Sequence, residues 1–168
     1  MPPAKIVSGG QTGADRAALD WAIFHDIPHG GWCPKGRKAE DGILSAQYQL
    51  TETPSASYPQ RTQWNVRDSD GTVIFTMASK LSGGSKLTAD AAIKLGRPWI
   101  HLSPSSSYEP ARELLRFLSE NNIEVLNVAG TRGSKEPDVA AFVKKVPEEA
   151  FYPRSAARFE PNLMGRVV

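Results

Sequence analysis

Ser8-Gly9-Gly10-Gln11-Thr12-Gly13-Ala14-Asp15-Arg16-Ala17-Ala18-Leu19-Asp20 is the stretch on which the fold turns. Ile6-Val7 runs into Ser8 as a short buried strand, and Gly9-Gly10 brings it to a stop. Beyond Gly13, the residues Ala14, Ala17, Ala18, Trp21, Ala22 and His25 recur at helical spacing. Strand, glycine loop and helix therefore follow one another without a break. The same succession is found further on. Ser69-Asp70-Gly71 turns into the β-branched strand Thr72-Val73-Ile74-Phe75-Thr76, and Ser82-Gly83-Gly84-Ser85 then feeds a helix over 87–95 that Gly96 ends. The pattern predicts a strand over 98–102, an amphipathic helix over 109–120 with Leu114, Leu115 and Leu118 inward, and a strand over 124–128. A loop over 129–135 precedes a last helix, 137–146, with Pro137 in a permitted first-turn position. Short β-branched runs alternating with helices predict a doubly wound α/β domain: a mostly parallel sheet with helices on both faces.

Outward from these units the pattern weakens. Residues 30–34 and 48–51 look like short extended pieces flanking an irregular loop that carries Lys35, Arg37 and Lys38. Tyr58-Pro59 precedes a helix over 60–67 that places Arg61 and Asn65 one turn apart. From Pro147 to Val168 the periodicity is lost, and prolines and arginines are mixed with Phe151, Tyr152, Phe159 and Leu163. The expected organisation is a single domain over 1–146 with a C-terminal arm over 147–168. Isolated aromatics in such an arm fit either a strap docked on its own domain or a segment that crosses to a neighbouring subunit.

Composition bounds the function. The 168 residues, 40% hydrophobic and 23% charged, suit one globular core. Twenty Lys and Arg against 18 Asp and Glu leave a net charge of +2, too balanced for a surface that tracks nucleic acid. No apolar run approaches the ~20 residues of a membrane span, and the N-terminus lacks the apolar region of a signal peptide. A cytoplasmic protein is expected. The single cysteine, Cys33, cannot form an internal disulfide and suits a reducing compartment. His25, His29, Cys33 and His101 are too scattered for a zinc-type ligand set, so no intrinsic metal site is predicted.

Three loops, 8–13, 82–85 and 129–135, each follow a strand and precede a helix. In an open parallel sheet such loops gather at the carboxyl ends of the strands, around the point where strand order reverses. Glycines let the backbone approach a ligand, and the free N–H groups of the following helix favour an anion. A phosphate or similar tetrahedral oxyanion fits. In the first loop Thr12 is placed to cap the helix and Gln11 to hydrogen-bond a ligand. Asp15 and Asp20 fall early in the helix, where the dipole alone favours a carboxylate and a ligand role is equally open. In the third loop Arg132 and Lys135 stand among Gly130, Thr131, Gly133 and Ser134 as an anion clamp. Lys35 and Arg61 are further cationic candidates. The first loop lacks the Gly-Lys-Ser/Thr ending of a P-loop and departs from Gly-x-Gly-x-x-Gly, so neither ATP hydrolysis nor a standard NAD site is favoured.

Taken together, the stretch 8–20, Pro34-Lys35-Gly36-Arg37-Lys38-Ala39-Glu40-Asp41-Gly42, Arg61-Thr62-Gln63-Trp64-Asn65-Val66, Ser69-Asp70-Gly71-Thr72 and Leu126-Asn127-Val128-Ala129-Gly130 resemble the putative molybdenum carrier family. That family is grouped with Rossmann-like proteins related to the lysine decarboxylase-like (LOG) superfamily, and the resemblance spans residues 4–146. It implies a Rossmann-like fold, a homo-oligomer (dimer or tetramer), and a role in binding molybdenum cofactor or molybdate, with molybdoenzymes as partners. By position it implies ligand contacts from Gly9, Gly10, Gln11, Thr12 and Gly13, from Gly83, Gly84 and Ser85, and from Gly130, Arg132, Ser134 and Lys135. Two departures stand out. The family's Gly-Pro-Arg is Gly130-Thr131-Arg132 here, which keeps the arginine. Cytokinin-activating relatives carry Pro-Gly-Gly-x-Gly-Thr-x-x-Glu, whereas this chain runs from Ser82 to Asp90 with the shorter carboxylate in the acid's place.

The preferred reading is a non-enzymatic carrier of a small phosphorylated or oxyanionic ligand. Its alternatives are a nucleotide-derivative sensor and a phosphoribohydrolase-like nucleotide N-glycosidase that uses Asp90 or Asp15 as its acid or base.

Overall fold

The computed structural model describes residues 1–154. In chain order its elements are β1 (Lys5–Val7), α1 (Ala14–Phe24), β2 (His29–Gly30), β3 (Trp32–Cys33), β4 (Lys38–Ala39), β5 (Gly42–Ile43) and β6 (Thr51–Glu52). They continue with α2 (Tyr58–Arg67), β7 (Gly71–Phe75), α3 (Gly83–Leu95), β8 (Trp99–Leu102), α4 (Pro110–Glu120), β9 (Val125–Gly130) and α5 (Val139–Phe151). Five strands form the main sheet in the order β2-β1-β9-β7-β8, and every pairing in it is parallel. This is the Rossmann-like, doubly wound α/β architecture. From β1 the chain moves outward to β2, returns to lay down β7, moves outward the other way to β8, and inserts β9 between β1 and β7. Strand order thus reverses around β9, which puts the crevice beyond β1, β9 and β7.

The sheet's two faces differ in what they bury. On one face Ile6, Val73, Phe75, Leu126 and Val128 pack against the alanines of α1, against Leu114 of α4, and against Val139, Val143 and Val146 of α5. Small residues at Ala14, Ala17 and Ala18 let α1 sit close to the strands. On the other face Val66 of α2 packs with Ala91 and Ala92 of α3, beside Trp99. All five residues of β7 are buried, as expected for a strand covered on both sides. Side chains of Phe75, Ile74 and Val73 are among the largest fully buried groups, each contributing about 1.5–3 kcal/mol. Between β7 and β9 the buried Asn127 Nδ2 donates to Thr72 Oγ1 at 3.1 Å, so the polar pair satisfies itself. A satellite core of Leu19, Cys33, Leu44, Tyr48 and Leu50 anchors the irregular segment after β2. That segment carries the parallel β3–β6 pair and the antiparallel β4–β5 hairpin.

Helix boundaries differ from the sequence expectation at α2, α3 and α5, and α2 begins at Tyr58 instead of residue 60. Helix α3 begins at Gly83 instead of residue 87, so Gly83, Gly84 and Ser85 form its first turn. Ser85 Oγ accepts the Ser82 N–H at 3.2 Å and donates to the Ser82 carbonyl at 2.7 Å, closing that turn reciprocally without the glutamate of the familiar capping motif. Helix α5 starts later, at Val139, and runs through Pro147 to Phe151, so the first residues assigned to the arm are helical. Pro147 is buried, and Glu148 accepts a hydrogen bond from Trp21 Nε1 at 3.1 Å, while Phe151 lies against Trp21. Packing on α1 therefore outweighs the proline. The rest of the arm, with Phe159 and Leu163, lies outside the described residues. Among the described residues no helix is long and apolar enough to cross a membrane.

Candidate functional site

The loop after β1 is shaped by its glycines and by contact with the loop after β9. Gly13 has φ of 80°, and a side chain there would stand 2.5 Å from Thr131 O and Gly133 N. Only glycine lets the two loops come together so closely. Gly13 is the N-cap of α1, with no side-chain cap, so Thr12 does not cap the helix as expected. Instead Thr12 Oγ1 accepts the Gly133 N–H at 3.1 Å and donates to a Glu40 carboxylate oxygen. Gln11 Oε1 accepts the N–H groups of Thr12 at 3.1 Å and Glu40 at 2.9 Å. Its Nε2 is buried with no partner among the described residues.

The three predicted loops do meet. They line one cleft of about 330 Å3, a size at the lower end of small-molecule sites. Of the sequence candidates, Gly9, Gln11, Asp15, Arg61, Gly83, Gly84, Ser85, Gly130, Arg132 and Lys135 line it. Gly10, Thr12, Gly13, Ser134 and Lys35 are outside the lining. The first three shape the β1–α1 loop, and Ser134 is engaged with Glu40. Lys35 is exposed, and its basic neighbourhood disperses. Arg37 donates to the carbonyls of Leu44, Ser45, Tyr48 and Leu50, holding the irregular segment together, while Lys38 Nζ lies 5.1 Å from the Tyr58 ring centre.

Among the described residues lining the cleft, charge is predominantly positive: Arg61, Arg132 and Lys135 face the single carboxylate of Asp15. Asp15 Oδ2 accepts the Gln11 N–H at 3.2 Å and lies 3.4 Å from Arg61 Nη1. Burial raises the Asp15 pKa, and the Arg61 charge opposes that rise only in part. Arg61 is itself buried, donating to the Gly9 carbonyl at 2.8 Å, with its guanidinium 5.2 Å from the Tyr58 ring centre. Asn65, one turn on, is spent on structure: it accepts the Trp32 N–H at 2.7 Å and donates to the Trp32 carbonyl at 2.9 Å. Lys135 Nζ donates to Ser82 Oγ at 2.9 Å, which brings a cation to the N-terminus of α3. Asp90, the candidate acid by resemblance, is outside the lining and pairs with Lys86 at 2.8 Å on the exposed side of α3.

Tyr58, Asn127, Thr88 and Glu40 were not among the sequence candidates. Tyr58 stands at the start of α2, and the guanidinium of Arg132 also lies 5.7 Å from its ring centre. Glu40 lay within a quoted motif, but its partners come from other parts of the chain. Cys33 is buried, which raises its thiol pKa, and His101 is tied to Thr76 Oγ1 at 2.6 Å. Among the described residues no three His, Cys, Asp or Glu side chains are grouped to hold a metal ion.

Comparison with known proteins agrees with this architecture. Residues 6–151 match the family described as the circularly permutated YpsA SLOG family. A crystal structure of a putative molybdenum carrier protein from Syntrophus aciditrophicus SB is 44% identical, with a TM-score of 0.85, over 89% of this chain and 96% of that one. No curated protein matches. A family pattern over nearly all of the described chain, together with so similar a structure, means that the chain belongs to the circularly permutated YpsA SLOG family.

Proposed function

We propose that this chain is a carrier whose cleft takes up a phosphorylated pterin, as in molybdenum cofactor, or a molybdate-like tetrahedral oxyanion. The observation that carries the reading is the Lys135–Ser82 contact, which sets an ammonium beside the N-terminus of α3 in a cleft also lined by Arg61 and Arg132. Backbone N–H groups, a lysine and arginines are the donors that oxyanions select. Because no grouped metal ligands are found among the described residues, a molybdenum cargo would be gripped through its oxygens or through the pterin phosphate. The similar Syntrophus protein's name, putative molybdenum carrier protein, supports a molybdenum-related cargo. On this reading the protein works in the cytoplasm as a homo-oligomer and hands its cargo to molybdoenzymes.

Titration calorimetry with sodium molybdate and with inorganic phosphate tests the proposal. Lys135 is exposed, so Lys135→Ala is expected to weaken binding about tenfold while leaving the melting temperature in place. Equal affinity in both proteins would overturn the reading. Mass spectrometry of the protein from molybdenum-replete cells, under native conditions, then identifies the cargo.

One observation keeps nucleotide N-glycoside hydrolysis as a second reading: Asp15 is a buried carboxyl with a raised pKa in the cleft wall. Release of free base from nucleoside monophosphates, abolished by Asp15→Asn, would favour it over the carrier.

A further inference from the structure

The tip of the β4–β5 hairpin meets Arg132 at the edge of the cleft, and among residues 38–43 only Ala39 is buried. Its tip is tied down by charge. Asp41 pairs with Arg16, and Glu40 is inserted between the loops that follow β1 and β9. There the Glu40 carboxylate collects an unusual set of donors for a surface glutamate. The Thr12 hydroxyl donates to Oε1, the Ser134 N–H donates to the same oxygen at 3.2 Å, and the Ser134 hydroxyl donates to Oε2 at 2.7 Å. The Arg132 guanidinium lies 3.6 Å from Oε2. A backbone N–H, two hydroxyls and a guanidinium are what a phosphoryl group would recruit, and a phosphoryl group brings more charge and more oxygens to the same donors.

Gln11 adds an independent sign. Its Oε1 is fully used, holding the N–H groups of Thr12 and Glu40, yet its Nε2 has no partner among the described residues although the residue is only 6% exposed and lines the cleft. A buried amide donor left unpaired carries a penalty that an acceptor bound against Gln11 would relieve.

We propose that Thr12, Arg132 and Ser134 form a second anion seat, held in this structure by Glu40, and that a ligand with two linked anionic groups displaces the carboxylate to occupy it. The first seat is the one at Lys135 and the N-terminus of α3, so this inference rests on the anion-binding reading of the cleft. A diphosphate is the simplest chemical class that carries two linked anionic groups. Glu40 is then a resident competitor. The hairpin admits ligands able to replace its carboxylate and weakens the hold on those that fill only the first seat.

Titration calorimetry with inorganic pyrophosphate and with sodium molybdate tests the exchange on four proteins: wild type, Glu40→Ala, Glu40→Gln, and Glu40→Ala combined with Arg132→Ala. Removing the competitor is expected to tighten pyrophosphate binding about tenfold, and the added Arg132→Ala to cancel that gain. Glu40→Gln, which drops the charge and keeps a side chain able to hydrogen-bond, is expected to shift affinity in the same direction. Unchanged or weaker pyrophosphate binding in both single variants would overturn the exchange and make Glu40 a structural tie. If wild type still binds molybdate in that case, the cleft reading survives alone. Failure of wild type and both single variants to bind either anion would overturn both.

Discussion

Arg61 and Asp15 condense the chemistry of the cleft into one contact, 3.4 Å long and buried at both ends. Burial disfavours the ionised carboxyl more than the guanidinium restores it, so Asp15 titrates above its ordinary value of 3.8. The sign of the linkage follows. A carboxyl whose folded pKa is raised binds its proton more tightly in the folded protein, so its contribution is fully present below the unfolded pKa and is lost as pH rises through the folded pKa. Asp15→Asn is expected to remove that loss. As pH rises above the ordinary carboxylate range, the stability of wild type relative to Asp15→Asn should fall, by about 1.4 kcal/mol for each unit by which the pKa is raised. Denaturant melts at several pH values measure it, and a flat difference would show that Asp15 stays ionised on its arginine. The sequence placed Asp15 early in a helix, where a dipole effect was a sufficient explanation. Its burial was not legible there, because it depends on an arginine 46 residues away and on a tyrosine ring beside that arginine. Glu40 was hidden for the same reason: its donors, Thr12, Arg132 and Ser134, flank it at long range on both sides.

At the scale of elements, helix termini decide what the cleft can offer. Starting α3 at Gly83 turns a loop into a helix N-terminus, and the Ser82–Ser85 exchange is what fixes that start. Ser85 is 3% exposed, so Ser85→Ala leaves the Ser82 N–H without its acceptor and opens the first turn. The expected loss is about 1 kcal/mol, or about 2–4 °C in melting temperature for a domain of this size. Thermal unfolding followed by circular dichroism reads the shift, and an unchanged melting temperature would mean the turn is held by other contacts. A weaker grip on molybdate should accompany it, since Lys135 is anchored on the neighbouring Ser82. Strands β1, β7, β8 and β9 and most helices were plain in the sequence because β-branched runs and alanine or leucine periodicity are local signals, whereas the β4–β5 hairpin falls in what the sequence offers only as an irregular loop. Of the misplaced helix ends, the start of α3 rests on a local serine pair in place of a glutamate cap, whereas the packing of Glu148 and Phe151 on the distant Trp21 carries α5 past Pro147.

For the whole molecule, the question is which part of the chain the cleft requires. Strand order brings the loops after β1, β9 and β7 together, and that convergence was legible because three strand–glycine–helix junctions in one parallel sheet have a single place to meet. Among the described residues, the main core and the lining of the cleft lie between Ile6 and Phe151. The C-terminal end of α5 is itself secured, with Tyr152 stacked on His25 at 4.2 Å between ring centres and Glu148 accepting from Trp21. A chain ended after Arg154 is therefore expected to keep its melting temperature to within about 2 °C and its affinity for molybdate within about twofold. Sedimentation of the shortened and full chains at equal concentration gives the second half of the answer. A subunit-crossing arm requires the shortened chain to sediment as a smaller species, whereas a strap on its own domain leaves the assembly unchanged. Loss of molybdate binding together with loss of assembly would mean that a neighbouring subunit completes the cleft, and the carrier would then be the oligomer instead of the single domain.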